Sequence, residues 1–197
     1  VPLAAAAERL SDVLGVPGRF ERIVEGQPWT VIVDYAPEPA SLATLYATVD
    51  AMPKRRLIHI LGSCGGGRDA ARRPVLGKMA GERADVVIVT DEDPYDDDPK
   101  AIMDQVAAGA RDAGKKDGES LLIVPQRAEA VLEAMRRAGE GDIVLLTGKG
   151  CEQAIMGPKG TRTPWDDREV AREAIRLVMG EREKKTESVG GNAGTET

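Results

Sequence analysis

Five short apolar runs follow one another along this chain, and nearly every one is separated from the next by an amphipathic stretch. TVIVDY (residues 30–35), RLIHIL (56–61), DVVIVT (85–90), LLIV (121–124) and IVLLT (143–147) are nearly unbroken in their hydrophobicity. A strand that is apolar on successive residues has no side to give to water, so both faces of its sheet must be covered. Between these runs, Leu42, Leu45, Tyr46, Val49 and Met52 recur at helical spacing. So do Ile102, Met103 and Val106, and residues 127–138 repeat the pattern. FERIV (20–24) alternates polar and apolar residues, as an edge strand would. Strands alternating with helices predict an α/β, three-layer, Rossmann-like domain: a mainly parallel sheet of about six strands with helices on both faces. At 197 residues the chain suits one domain with a substantial core. Asp98 followed by Pro99 reads as a helix cap and first turn, and Asp166 with Glu169 as a capping box opening the last helix. After Gly180 the sequence EREKKTESVGGNAGTET offers no apolar face, and a disordered tail is expected over residues 181–197.

In such sheets ligands bind beyond the C-terminal ends of the strands. That rule selects four segments: DYAPEP, GSCGGGRD, TDEDPYDDDP and TGKGCEQ. GSCGGGRD approaches a phosphate loop but lacks the Lys-Ser/Thr continuation, and Pro74 places the next helix start several residues beyond Arg68. No G-x-G-x-x-G follows the early strands either, which argues against a nucleotide-dependent dehydrogenase. The glycines serve a tight turn, or they let Arg68 project towards a ligand. TDEDPYDDDP packs six carboxylates into residues 91–98, which is costly without a nearby cation or amine. Asp98 caps a helix, Asp96 and Asp97 fit a solvated face, and Asp91 and Asp93 are the candidates for ligand contact. The spacing matches no calcium loop, and no metal site is assigned. In TGKGCEQ, Gly148 and Gly150 permit close backbone approach and Glu152 offers an acceptor for an amine. His59, the only histidine, sits mid-strand and reads as a core residue, so Cys151 has no evident base for nucleophilic chemistry.

The net charge of −6 and the scarcity of aromatics exclude a general nucleic-acid binder. No apolar run reaches membrane-spanning length. Two cysteines, Cys64 and Cys151, make no disulfide framework, and the expectation is a reduced, cytoplasmic protein. The chain opens in the middle of a helical pattern (VPLAAAAERL), as a piece of something longer would.

Taken together and in order, these segments resemble the C-terminal domain of the Mur ligases, specifically the MurE type. VPGRFE resembles the opening of that domain, VDYAPEPASL its DYAHTPDSL motif, and GSCGGGRDAARRPVLG its GCGGDRDKGKRPLMG motif. DEDPYDDDP resembles the DNPR loop, GKGCE the GKGHE motif and WDDREVAREA the final helix. The resemblance covers about residues 13–180 and implies an ATP-dependent, ADP-forming amide ligase. In that reaction ATP and Mg2+ activate the carboxylate of UDP-N-acetylmuramoyl-L-Ala-D-Glu, and the amine of a third amino acid attacks. By matching motifs, the resemblance implies that Arg19 reaches the ATP phosphates and Asp34 the ribose. It implies that Arg68, Asp93, Tyr95, Gly148 and Glu152 line the amino-acid pocket, with Arg68 clamping the α-carboxylate through its planar fork. The resemblance assigns residues 1–180 to that C-terminal, amino-acid-binding domain; the N-terminal and central ATP-binding domains of the family are absent from this chain, which alone is expected to be inactive. A non-catalytic Rossmann-like binding or regulatory module is the alternative.

Four positions depart from the family pattern: Pro37 replaces His, Asp93 replaces Asn, Tyr95 replaces Arg and Cys151 replaces His. Losing a cation at Tyr95 and gaining an anion at Asp93 favours a substrate with a side-chain ammonium, L-lysine, over meso-diaminopimelate. Arg72 or Arg73 is positioned in sequence to replace the lost arginine.

Overall fold

The computed structural model describes residues 2–12 and 15–190. After helix α1 (Leu3–Ser11) the chain runs β1 (Glu21–Ile23), β2 (Thr30–Asp34), α2 (Pro39–Asp50), β3 (Leu57–Leu61), α3 (Arg72–Arg83) and β4 (Val86–Val89). It continues through α4 (Pro99–Asp112), β5 (Leu121–Ile123), α5 (Arg127–Arg137), β6 (Ile143–Thr147), the hairpin β7 (Ala154–Met156) and β8 (Arg162–Pro164), and α6 (Asp167–Gly190). Six strands form one sheet in the order β1-β2-β6-β3-β4-β5, parallel except for β1, which pairs antiparallel with β2. The expected α/β architecture is what the chain adopts.

Alternate strand residues supply two cores. Ile32, Leu57, Leu61, Val87 and Leu145 pack on α2, α3 and α4 through Tyr46, Leu76 and Val106. Val31, Val33, Ile58, Ile60, Val144 and Leu146 pack on α5 and α6 through Val131, Met135, Ile175 and Val178. His59 points into the first layer as a satisfied core residue. Its Nδ1 meets the Tyr46 hydroxyl at 2.6 Å and its Nε2 the Thr147 hydroxyl at 2.9 Å. Complete burial drives its pKa down to about 3, so the ring is neutral.

Asp98 caps α4 through the Lys100 N–H, and Asp166 accepts the Arg168 N–H at the start of α6. The tail requires a correction. α6 does not stop at Gly180 but continues as helix to Gly190. Polar anchors replace the missing apolar face. Arg182 lies 4.6 Å over the Trp29 ring and donates to the Ala138 carbonyl at 2.6 Å, and Glu181 pairs with Arg136 at 2.7 Å. Residues 191–197 of the expected tail lie outside the described residues. Among the described residues, no helix is long and apolar enough to cross a membrane.

Candidate functional site

Sheet register sets the site. Asp34 pairs with Thr147, Ile60 with Leu146 and Leu61 with Val89, so β2, β6, β3 and β4 end side by side. The four segments selected from the sequence therefore emerge together. The β3–β4 pairing extends into the loops, where Cys64 bridges to Asp93 and the Gly65 N–H donates to the Asp93 carbonyl at 2.8 Å.

Two glycines bring the loops into backbone contact. Gly18 (φ 67°) and Gly150 (φ 48°) both occupy the left-handed region. A Cβ on Gly18 would lie 2.2 Å from the Cys151 nitrogen, and one on Gly150 would lie 2.6 Å from the Tyr35 Cα. The segment carrying Arg19, the end of β2 and the loop after β6 thus share one contact point. Arg19 is exposed, with its guanidinium 4.5 Å over the Tyr35 ring. Asp34 accepts the Phe20 N–H at 2.7 Å and the Ala36 N–H at 2.9 Å. Arg19 and Asp34, the expected nucleotide contacts, therefore sit together at one edge of the site.

The acidic loop is internally matched, which its sequence does not reveal. Asp93 is only 3% exposed, and both its oxygens accept from the Lys149 ammonium at 2.8 Å. Its Oδ1 also accepts the Met156 N–H at 2.7 Å. Asp97 pairs with Arg73 at 3.1 Å, and Asp96 accepts the Lys159 N–H at 2.7 Å in the β7–β8 turn. Glu92 is buried and accepts from the Cys64 thiol at 2.9 Å. Burial raises the pKa of Glu92 and, together with the Glu92 charge, lifts the thiol above its usual range. Burial likewise raises Asp91, the half-exposed residue at the loop's start. The supposition that Asp93 adds an unmatched negative charge is corrected: Lys149 is its counter-ion. Neither Arg72 nor Arg73 is free to replace the lost arginine. Arg72 is buried against Glu38, and Arg73 is held by the Cys64 carbonyl, Gln105 and Asp97. Among the described residues, no three His, Cys, Asp or Glu side chains gather to hold a metal ion.

Arg68 lies at the tip of the Gly-rich loop, exposed, and its side chain makes no hydrogen bond or ion pair among the described residues. Tyr95 (φ 51°) is half-buried, with its N–H on the Met156 carbonyl at 3.0 Å and its ring against Gly66. Gly148 donates to the Tyr35 carbonyl at 3.1 Å and leaves no room for a side chain, since a Cβ would lie 2.1 Å from the Glu92 carboxylate. Glu152 gives its Oε2 to Lys149 at 2.9 Å and keeps 39% of its side chain exposed. Asp93, Gly148 and Glu152 are brought together around Lys149, and Tyr95 joins them through Met156. The Arg68 guanidinium stands apart on the Gly-rich loop. Sequence reasoning missed the role of Lys149 and, behind it, the fully buried Arg127. Arg127 clamps Asp167 at 2.8 and 2.7 Å and donates to the carbonyls of Thr147 and Asp91. Lys149 and Asp93 are 56 residues apart, and Arg127 and Asp167 are 40 apart, so no local pattern announces either pair.

This geometry finds close parallels. The family model for "Mur ligase, glutamate ligase domain" matches residues 18–150. The chain is 46% identical over 175 residues to a UDP-N-acetylmuramyl-tripeptide synthetase of Roseiflexus sp. (strain RS-1), covering 89% of this chain and 34% of that protein. It is 40% identical over 170 residues to a UDP-N-acetylmuramoyl-L-alanyl-D-glutamate--2,6-diaminopimelate ligase of Solibacter usitatus (strain Ellin6076), covering 86% of this chain and 33% of that protein. A solved structure of a ligase of the same description superposes with a TM-score of 0.70 at 29% identity, over 90% of this chain and 35% of its own. The chain thus spans about a third of the length of the relatives it matches. It belongs to the Mur ligase family, as a C-terminal domain of that family.

Proposed function

We propose that this chain is the amino-acid-binding domain of an ATP-dependent ligase of peptidoglycan synthesis. The ligase adds a diamino acid as the third residue to UDP-N-acetylmuramoyl-L-Ala-D-Glu. The γ-phosphoryl group of ATP passes to the acceptor carboxylate and ADP leaves. The amine of the diamino acid then attacks the acyl carbon, and phosphate departs as the amide forms. The observation that carries this reading is the convergence of four strand-end loops around Lys149, Glu152 and Gly148. On this reading Arg19 meets the ATP phosphates. Asp34 meets the ribose, since a carboxylate that accepts two N–H groups retains further acceptor sites. Arg68 clamps the α-carboxylate, Tyr95 and Gly148 line the pocket, and Glu152 receives an ammonium. Asp93 belongs to the pocket as the partner of Lys149. Mg2+ accompanies the nucleotide, and no ligand for it is assigned to this chain.

Charge matching bears on which diamino acid is added. The case for L-lysine rests on a net-negative loop, but Asp93 is neutralised by Lys149 and Asp97 by Arg73. With Asp93 and Asp97 paired, less of the loop's charge opposes a second carboxylate, and meso-diaminopimelate gains against L-lysine. The names of the two relatives point the same way or leave the acid open. The test is ADP release by the full-length protein with the UDP-dipeptide and, separately, L-lysine, L-ornithine and meso-diaminopimelate. Release that requires both the dipeptide and a diamino acid is expected, whereas the 197-residue chain alone releases none. Release independent of any diamino acid, or none at all, would contradict the proposal and favour the non-catalytic module.

A further inference from the structure

Lysine is among the residues least often buried without a partner, yet Lys149 is 0% exposed. Its ammonium has three donors, and all are used. Asp93 Oδ1 and Oδ2 accept at 2.8 Å and Glu152 Oε2 at 2.9 Å. The two carboxylates arrive from different loops, one following β4 and the other following β6. Asp93 further fixes the first strand of the hairpin through the Met156 N–H. Burial works to lower the Lys149 pKa, but the hydrogen bonds from Asp93 and Glu152 outweigh it, and the ammonium stays charged.

The two partners differ in what remains to them. Asp93 is buried with both oxygens committed. Glu152 is partly exposed, and its Oε1 has no partner among the described residues. A glutamate side chain has three rotatable bonds, and holding one carboxylate oxygen narrows where the other can stand. Glu152 is also close enough to Tyr35 for its charge to help raise the phenol, which burial raises first. Gly148 donates to the Tyr35 carbonyl and Gly150 packs on the Tyr35 Cα, so the loop that carries Glu152 lies against Tyr35 at the end of β2.

We propose that Lys149 is a positioning residue for the diamino-acid substrate. It holds Glu152 by one oxygen so that the other receives the substrate's ammonium, and it withdraws the charge of Asp93 from substrate recognition. This role rests on the ligase reading above. It predicts a loss in amino-acid KM that persists when stability is restored, which a purely structural pair would not give.

The experiment measures apparent KM for the diamino acid and for ATP in the full-length protein, with thermal unfolding alongside. Lys149→Met is expected to raise the amino-acid KM roughly tenfold or more, the scale of losing one charge-assisted hydrogen bond, with ATP KM nearly unchanged. Arg136→Met, which breaks the exposed pair with Glu181 at the far end of α5 from Arg127, is the control, and its amino-acid KM should stay within about threefold of the parent. The double variant K149M/D93N leaves no buried carboxylate unpaired at position 93. It should recover Tm relative to Lys149→Met while the amino-acid KM remains raised, because Glu152 is still untethered. If Lys149→Met does not fold, the double variant carries the same reading. An unchanged amino-acid KM in the folded lysine variant would overturn the role. So would an Arg136→Met variant as impaired in amino-acid KM as Lys149→Met, since the effect would then not belong to the Lys149–Glu152 pair. Turnover by the parent protein separates these outcomes from failure of the ligase reading, which would show as no turnover with any diamino acid and would take this role with it.

Discussion

Replacing Asp167 by Asn perturbs the buried clamp that fastens α6 to the site loops. Arg127 and Asp167 are both 0% exposed in their side chains and meet in a two-pronged pair at 2.8 and 2.7 Å. The Trp165 indole N–H adds a third bond to Asp167 at 2.8 Å. Burial opposes the arginine's charge, but the Asp167 charge and hydrogen bonds more than offset it. Removing one member of such a pair costs about 3–5 kcal/mol, because the remaining charge is left in the interior without a counter-ion. Asparagine retains an oxygen to accept one bond, so the lower figure, about 3 kcal/mol, applies. For a chain of this length each kcal/mol moves Tm by about 2–4 °C, giving a fall of roughly 6–12 °C. Thermal and urea unfolding followed by circular dichroism read this directly. An apolar pair, R127M/D167L, is expected to restore most of the loss, since it removes both buried charges. A fall below about 1 kcal/mol for Asp167→Asn, or a double variant less stable than the single one, would refute the reasoning.

Three further outcomes follow from the same geometry. His59 is neutral when folded, with its pKa lowered from 6.5 to about 3. Its stabilisation is therefore present above about pH 6.5 and lost as pH falls towards about 3, at up to ~1.4 kcal/mol per unit, a slope that His59→Gln should abolish in pH-dependent unfolding. Asp142, held down to about 2 by Arg56 and Arg55 against the opposing effect of burial, adds its own loss only below about pH 3.8 and should persist in that variant. Gly150→Ala drives a Cβ to 2.6 Å from the Tyr35 Cα at a φ of 48°, and a cost of at least ~2 kcal/mol is expected in denaturant titration. Arg68→Lys keeps the charge and loses the planar fork. The amino-acid KM of the full-length protein should rise roughly tenfold or more while ATP KM changes little, and an unaltered amino-acid KM would remove Arg68 from the pocket.

The parallel strands were legible because each is a continuous apolar run, and the pairing of α/β layers follows from that. The β7–β8 hairpin escaped notice because each strand is three residues long and its turn, GPKG, reads as plain loop. The helical extension past Gly180 was hidden for a different reason. Its support comes from Trp29, Arg136 and Ala138, all distant in sequence, and not from an apolar face of its own. The location of the site was readable from where the strands end. Its electrostatics were not. Asp93 looks like an added anion when read within DEDPYDDDP, and only the fold brings Lys149, 56 residues away, onto it. Charge counted along a loop misleads whenever the counter-ion arrives from another loop.

A crystal structure of the full-length protein with bound ADP and the diamino acid it turns over tests the central claim most directly. The account predicts the substrate's α-carboxylate on the Arg68 guanidinium, its ammonium on Glu152, Lys149 still between Asp93 and Glu152, and the nucleotide at the Arg19–Asp34 edge. A diamino acid bound away from the loops that follow β3, β4 and β6, with Arg68 and Glu152 both unengaged, would contradict it.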